Sequence, residues 1–500
     1  MKSGLVVVVE IVPDEFALDV ARRVNDGNRF AGLFATSKRD GSTLLLALIC
    51  DERLMTMVQT RLAPGEHSYP ALTPLVPAAS WYEREIHDLF GLEPVGHPRL
   101  DSLVLPLVQG EELRPRPGNG LTDLGALTPD SSPLLGHVAG EGVFTIPYGP
   151  VRSGVFESIE YLVETVGEDI VHLRSRVYHK HRGIERRFED LGVNEGVLLA
   201  ERVEGTVSIA HAMAYSQAVE SMTSTELPKS ALLVRVLHAE LERIVNHLDT
   251  IIRHTEGASQ AVGYARMSLH KERIMRLRSR ICGHRFGRGV VVPGGVSGPL
   301  SCDAVEVLRD IEAINRSLTS DLVALMTTPS FLDRLRGTGI LSDELVAAHG
   351  GLGPLARASG LEQDVRRVRP YGAYTFLDPK QISPPTTGDA LARQWVRLEE
   401  IDQSFALIVE VLAQIKELPH GPWRVEIPVV DGLGLSWVEA PQGELLYLIE
   451  IESGRLVRVK PRCPSFHNLS LLPAAFNGDI FTDFVFIEAS FGFSVAGVSG

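Results

Sequence analysis

The segment ERVEGTVSIAHAMAYSQAVE, residues 201–220, is the most informative stretch of this chain for its fold. It contains no cysteine. Small residues precede His211, a setting that favours a hydrogen-bonded core histidine over a metal ligand. Glu204 offers oxygen to a metal at best, and Val207 offers no side-chain ligand. The segment therefore predicts a buried helix with little capacity to bind a soft metal.

Length and charge limit the class of protein. A chain of 500 residues has room for two or three domains with a large core. Its net charge of −14 argues against nucleic acid as a partner. The basic stretch at 266–280 predicts a helix with a solvated or subunit-facing basic side. No apolar run reaches the roughly 18–20 residues of a membrane helix, and no secretory signal is recognised, so we expect a cytoplasmic protein.

The four cysteines are distant from one another and lack CxxC spacing; they are Cys50, Cys282, Cys302 and Cys463. Zinc and iron–sulfur sites usually draw their ligands in such close pairs. We therefore expect four buried, unpaired thiols, with a metal site assembled from distant cysteines as the less favoured alternative.

The chain divides into three regions by composition: 1–106, a linker at 107–143 that is dense in Gly, Pro, Ser and Asp, and 144–500. In the first region, residues 4–12 and 43–50 predict strands and residues 14–26 a helix. We expect a small α/β domain there.

The third region is predicted to be mainly helical. Apolar residues recur at three- and four-residue intervals over 228–254 and 388–415, which predicts two long helices. The C-terminal part predicts a hairpin over 443–462, turning at Glu452-Ser453-Gly454. The predicted fold class is α+β: a small α/β domain followed by a large helical bundle with β-rich N- and C-terminal parts.

Two family resemblances occur in order along the chain. WYEREIHDLFGLEPVGHPRLDSLVLP (81–106) resembles the signature of the 30-kDa subunit of respiratory complex I. The third region resembles the 49-kDa subunit of complex I and the large subunits of group 4 membrane-bound hydrogenases. The segments that carry the second resemblance include YHKHRGIE (178–185), RVLHAELERIVNHL (235–248), GHRFGRGVVVPGGV (283–296) and RCPSFHNL (462–469). The order of the two resembles the large subunit of formate hydrogenlyase and fused complex I C/D subunits.

The hydrogenase resemblance implies a nickel–iron centre held by two pairs of cysteines, but this chain lacks all four. The first pair falls on Glu204 and Val207, and the second on Ser494 and Gly497. We therefore expect no nickel–iron centre and no bound metal. The resemblance places a 4Fe-4S cluster only in a partner subunit.

The complex I resemblance implies a quinone site, and its positions are also altered. The family's histidine and tyrosine fall on Ser153 and Gly205, which do not give the same hydrogen bonds. Tyr148 or Tyr178 remains as an alternative, so quinone binding is left open.

Three residues are candidates for moving protons in the altered cavity: Glu185, Glu204 and His211. Glu185 matches a glutamate that relays protons in the hydrogenases, and a buried carboxylate suits that role. The alternative is an ion pair of Glu185 with Arg182 or Arg186. A further set, Asp389, Arg393 and Arg397, shares one helix face and predicts an ion-pair network, with a path for charge as the less favoured alternative.

Together these features predict a large-subunit component of a membrane-associated oxidoreductase similar to formate hydrogenlyase and complex I. Its expected partners are an iron–sulfur small subunit and antiporter-like membrane subunits, at the cytoplasmic face of the membrane. The alternatives are a catalytically silent scaffold of such a complex, or an altered redox site for another small molecule.

Overall fold

The computed structural model describes residues 6–51, 54–105, 138, 140–152, 157–223, 225–418 and 421–500. Most of the predicted linker at 107–143 lies outside these residues, and so does Ser153. The strands are β1 Val6–Glu10, β2 Arg29–Ser37, β3 Thr43–Cys50, β4 Met55–Leu62, β5 Ser68–Pro70, β6 Glu93–Val95, β7 Val143–Tyr148, β8 Glu160–Val166, β9 Asp169–Arg176, β10 Val291–Val292, β11 Gly295–Val296, β12 Gly432–Ala440, β13 Gly443–Glu452 and β14 Arg455–Arg462.

The helices are α1 Pro13–Asn25, α2 Ser80–Phe90, α3 Ile184–Phe188, α4 Val193–Ala200, α5 Ser208–Glu220, α6 Lys229–Gly257, α7 Ala261–Cys282, α8 Ala304–Met326, α9 Pro329–Leu335, α10 Asp343–Ala348, α11 Gly353–Ala358, α12 Val365–Val368, α13 Ala390–Glu417, α14 Pro464–Leu469, α15 Phe484–Phe491 and α16 Val495–Ser499. Shorter 3-10 turns connect several of them. The mixed α+β fold predicted from the sequence is confirmed.

The N-terminal domain is built on a four-stranded sheet in the order β1-β4-β3-β2, in which β1 runs parallel to β4. Strand β3 is buried along nearly its whole length because α1 packs over β3 and β4 while other elements cover the second face. The predicted strands and the predicted helix at 14–26 are all present here. Its buried apolar side chains belong to a cluster that continues into the second domain, for example through Phe466.

A bundle of long helices forms the centre of the second domain. Helix α6 contacts α13 and α7, and α8 packs against both α7 and α13. Apolar side chains of α6 and α13 fill the contact, since their three- and four-residue spacing places them on one helix face. The two long helices predicted at 228–254 and 388–415 are confirmed.

The C-terminal part returns to an antiparallel sheet of β12, β13 and β14. The predicted hairpin joins β13 to β14 through Ser453 and Gly454, both with positive φ, as a tight two-residue turn requires. Helix α5 packs on β12 and β13. This packing brings the segment quoted first, 201–220, against the C-terminal sheet.

The two domains meet at strand β14. Lys460 on this strand places its Nζ 2.7 Å from both carboxylate oxygens of Glu85 on α2. Tyr82, also on α2, lies with its Oη 2.7 Å from Nδ1 of His467 on α14. These buried polar contacts fix the N-terminal domain against the C-terminal sheet.

Two expectations need correction at the ends of the bundle. Cys50 and Cys463 are buried, but Cys282 and Cys302 are only half-buried, because they lie at the end of α7 and in the loop before α8. The basic side of α7 is not wholly solvated either, since Arg278 is buried and donates to the carbonyl of His238 at 3.0 Å. Within the described ranges, no helix is both long and apolar enough to cross a bilayer.

Candidate functional site

Glu204 lies in the short loop between α4 and α5, with only 1% of its surface exposed. Its Oε1 accepts a hydrogen bond of 2.6 Å from Nε2 of Gln442, which lies between β12 and β13. Burial, and secondarily the nearby Glu157 carboxylate, raises the pKa of Glu204 to about 8. At neutral pH this side chain therefore carries a proton.

The space beside Glu204 is closed by Gly497 on α16. A Cβ atom at position 497 would lie 2.7 Å from Oε2 of Glu204 and 3.4 Å from Sγ of Cys463. Glutamate at 204 and glycine at 497 are thus complementary in size. The Glu204 side chain occupies the space that a side chain at position 497 would need.

The other two altered positions have no role in this contact. Val207 is buried in an apolar cluster that also contains Val203 and Ala210. The hydroxyl of Ser494 donates to the carboxylate of Glu157 at 3.0 Å. Neither residue points a ligand at Glu204.

His211, one turn into α5, is also fully buried, as the sequence predicted. Its Nδ1 lies 2.7 Å from Oη of Tyr447, and its Nε2 lies 3.7 Å from Oε2 of Glu204. Burial, with a smaller contribution from Arg182, lowers the pKa of His211 to about 3. Because the imidazole and the Glu204 carboxyl are both neutral at pH 7, the contact between them is not an ion pair.

Cys463 is the residue of this site that the sequence did not identify. Its Sγ lies 3.9 Å from Nε2 of His211, and burial raises the pKa of its thiol. Its only signal was its position in RCPSFHNL, one of the segments that resemble the family. Cys463 and His211 are 252 positions apart in the sequence, so no local pattern links them.

Glu185 lies in a different cluster, at the junction of the domains. Its carboxylate pairs with Arg458 and with Lys460, whose Nζ is 2.6 Å away. Burial opposes ionisation, but these two cations lower the pKa of Glu185 to about 2. A carboxylate held ionised in this way is poorly suited to relaying protons.

Glu185 therefore forms an ion pair, the alternative to a proton relay, but not with Arg182 or Arg186. Arg182 instead donates to the carbonyls of Arg202, at 3.1 Å, Val203, and Ala496, at 2.9 Å. It therefore joins the loop that carries Glu204 to α16, close to Gly497. Arg186 pairs with Glu189.

The expected network of Asp389, Arg393 and Arg397 is not an ion-pair network. Asp389 caps α13, accepting from the backbone of Ala392 at 2.8 Å. Arg393 donates to the carbonyls of Gly388 and Gly339, and Arg397 donates to the carbonyl of Arg393. The two guanidinium groups donate to backbone carbonyls and not to Asp389, because buried carbonyl oxygens need hydrogen-bond donors.

Of the two positions expected for quinone, only Gly205 can be described. It is exposed, and a Cβ there would meet no atom within 4 Å. Tyr148, one proposed substitute, stacks edge-on against Phe484 with ring centroids 5.2 Å apart. Tyr178 lies against His179, with ring centroids 4.6 Å apart.

A cleft with a volume of about 50 Å³ lies beside the buried site. Its lining includes Thr206, Gln442, Ser494 and Glu157. Gln442 is shared between the cleft and Glu204, and its Oε1 has no hydrogen-bond partner within the described part of the chain. Gln442 therefore links the lining of the cleft to the Glu204 side chain.

These residues do not fit a nickel–iron centre. Two of the four thiolate positions, Val207 and Gly497, have no side-chain donor atom. The carboxyl of Glu204 fills the space next to Gly497. The donors present, a carboxyl, an imidazole and one thiol, differ from the soft sulfur set that such a centre uses.

Comparison with known proteins gives two family matches. The description "Respiratory-chain NADH dehydrogenase, 49 Kd subunit" matches residues 260–432 and 423–499, and the corresponding 30 Kd subunit matches residues 11–114. The two matches occur in the order expected from the sequence.

Individual relatives agree with these matches. The chain is 28% identical to formate hydrogenlyase subunit 5 of Escherichia coli (strain K12), over 85% of this chain and 76% of that protein. It is 30% identical to the carbon monoxide-induced hydrogenase of Rhodospirillum rubrum, over 69% of this chain and 96% of that protein. Among solved structures, a chain of the membrane-bound sulfane sulfur reductase, an archaeal respiratory membrane complex, matches with a TM-score of 0.68. That match has 24% identity and covers 72% of this chain and 99% of the other, so it supports the fold.

Proposed function

Because the chain belongs to the family of the complex I 49 Kd subunit and the group 4 hydrogenase large subunits, we propose that it is a large subunit without a nickel–iron centre. A 30 Kd subunit domain is fused ahead of it. The chain is a component of a membrane-associated oxidoreductase complex. The finer proposal is a complex similar to formate hydrogenlyase, in which this chain docks an iron–sulfur small subunit.

One observation carries the proposal that the metal centre is lost. The Glu204 carboxyl packs against the backbone of Gly497. A Cβ atom added at position 497 would lie only 2.7 Å from Oε2 of Glu204. A cysteine at position 497 would need the Glu204 side chain to move or to change as well. The fold of the family is thus combined with a site rebuilt around different groups.

The proposed partners follow from the same family. A small subunit with a 4Fe-4S cluster would lie against the region of Glu204, and antiporter-like subunits would attach the complex to the cytoplasmic face of the membrane. In this proposal the chain contacts the membrane only through those partners.

A tagged chain purified from native membranes in mild detergent tests this assembly. We expect a subunit with a reducible iron–sulfur cluster, detected by electron paramagnetic resonance, and hydrophobic subunits to copurify with it. Recovery of the chain alone from the soluble fraction would contradict the proposal.

A catalytically silent scaffold remains the second candidate, favoured by the filled cavity and by the bare backbone at Gly205. Quinone reduction by the purified complex separates the two. Loss of this activity in Glu204→Ala, with activity retained in Glu312→Gln on the exposed side of α8, would support a redox role. Equal activity in both variants, or none in the wild type, would favour the scaffold.

A further inference from the structure

Three potential metal ligands converge at the buried site. One oxygen of Glu204, one nitrogen of His211 and the sulfur of Cys463 all lie within 4.8 Å of one another. All three residues are at most 1% exposed. They come from the loop before α5, from α5 itself and from the residue before α14, so the tertiary fold alone brings them together.

The distances between these atoms exceed those of ordinary hydrogen bonds but suit a shared ion. Oε2 of Glu204 lies 3.7 Å from Nε2 of His211, and Sγ of Cys463 lies 3.9 Å from the same nitrogen. A direct nitrogen–oxygen hydrogen bond would be about 2.7–3.2 Å long. Ligands of a tetrahedral zinc ion, with bonds of about 2.0–2.3 Å, lie about 3.3–3.6 Å apart. The third pair, Glu204 and Cys463, lies within 4.8 Å, so side-chain rotations that bring the carboxyl and the thiol closer together would complete the geometry.

The surroundings orient two of the ligands. Tyr447 holds Nδ1 of His211 at 2.7 Å, which leaves Nε2 directed at Glu204 and Cys463. Gln442 donates to Oε1 of Glu204 and leaves Oε2 facing the histidine. Such outer hydrogen bonds to histidine and carboxylate ligands are a regular part of metal sites.

Charge selects the kind of ion. Without a metal ion the Glu204 carboxyl and the Cys463 thiol are protonated, and a bound cation would displace both protons. The resulting carboxylate and thiolate carry two negative charges, which a divalent cation neutralises, so the occupied site is neutral in a buried region. Thiolate, imidazole and carboxylate are the ligand types of zinc. Three protein ligands leave a fourth position for water or a small ligand. Gln442, which lines the neighbouring cleft, contacts the cluster at Glu204.

We propose that Glu204, His211 and Cys463 bind one zinc ion. This site shares only position 204 with the nickel–iron ligand positions and uses a different set of donor atoms. The inference rests on contacts within this chain and does not require the partner subunits proposed above.

Metal analysis of the purified full-length chain, after exposure to zinc and gel filtration, tests the proposal. We expect about one zinc ion per chain, and at least a tenfold lower content in Cys463→Ser and in Glu204→Gln. Cys50→Ser, which changes a buried cysteine outside the cluster, is the matched control and should keep the zinc.

X-ray absorption at the zinc edge of the wild-type chain does not depend on any variant folding. We expect one sulfur neighbour at about 2.3 Å together with nitrogen and oxygen neighbours at about 2.0–2.2 Å. Wild-type protein without stoichiometric zinc, zinc without a sulfur neighbour, or zinc equally retained by Cys463→Ser and Glu204→Gln would each overturn the proposal. Because this test uses the chain alone, its failure is distinguishable from failure to copurify with an iron–sulfur subunit.

Discussion

Oε2 of Glu204 lies where a side chain at Gly497 would begin, 2.7 Å from a Cβ atom placed there. Glu204 lies in the first part of the second domain's sequence and Gly497 in its last part, but they are in contact in the fold. The Glu204 carboxyl leaves no room for a side chain at position 497. This relationship explains how one fold can keep its packing while the groups at its centre change.

Gly497→Ala should destabilise the protein by about 1–2 kcal/mol, because the new methyl group forces the buried Glu204 carboxyl away from Gln442. Thermal unfolding of the full chain measures the effect. Gly205→Ala is the matched control, since a Cβ there meets no atom within 4 Å, and its stability should change by less than about 0.5 kcal/mol. Equal effects of the two substitutions would mean that position 497 is not tightly packed.

The loss in Gly497→Ala should also depend on residue 204. In a Glu204→Ala background the added methyl group no longer meets the carboxyl oxygen and keeps only ordinary contacts of 3.4 Å with Cys463. The further loss should therefore be smaller by about 1 kcal/mol. A double-mutant cycle on unfolding midpoints gives this coupling. Additive effects would show that the two residues do not share the space.

Glu185→Gln should destabilise the chain by about 3 kcal/mol at neutral pH, because it leaves the buried Lys460 and Arg458 short of a negative charge. Thermal unfolding at pH 7 measures this loss. Glu312→Gln, on an exposed helix face, is the control and should have little effect. If Glu185→Gln leaves the stability unchanged, Glu85 alone balances the charges of Lys460 and Arg458.

The same carboxylate predicts a pH dependence. Its folded pKa, about 2, lies below its usual value of 4.5, so its stabilisation is present above about pH 4.5 and is lost as the pH falls towards 2. Unfolding midpoints of Glu185→Gln should therefore fall less steeply than those of the wild type over this range. Parallel curves would assign the acid sensitivity to other groups.

Arg182→Lys should loosen the contact between the Glu204 loop and α16, because one ammonium group cannot replace three guanidinium contacts to the carbonyls of Arg202, Val203 and Ala496. Faster amide hydrogen exchange in peptides covering 202–206 and 495–499 is the expected result. Arg309→Lys, on the exposed side of α8, should leave both peptides unchanged. Unchanged exchange in Arg182→Lys would mean that other contacts hold the loop.

The sequence predicts the parts of this protein that depend on local pattern. Helices α6 and α13 follow from apolar spacing, and the hairpin at β13–β14 from its turn residues. The family itself follows from dense motifs such as residues 81–106, which match the 30 Kd subunit. These features need no knowledge of contacts between distant segments.

The contacts at the site depend on tertiary packing, so local reasoning misses them. Cys463 meets His211 across 252 residues, and Lys460 meets Glu185 across 275. The sequence suggests Arg182 or Arg186 as an ion-pair partner of Glu185. Helix α3 instead packs on β14, which places Glu185 beside Arg458 and Lys460. The ion-pair network predicted from the spacing along α13 does not form, because the Asp389 carboxylate caps the N-terminus of the helix.

Nickel analysis of the complex purified from native membranes tests the central claim most directly. The claim is that this chain keeps the family fold around a site in which Glu204 and Gly497 exclude a nickel–iron centre. The expected result is nickel far below one atom per chain, even after growth with added nickel. About one nickel atom per chain, lost in Glu204→Gln, would contradict the account.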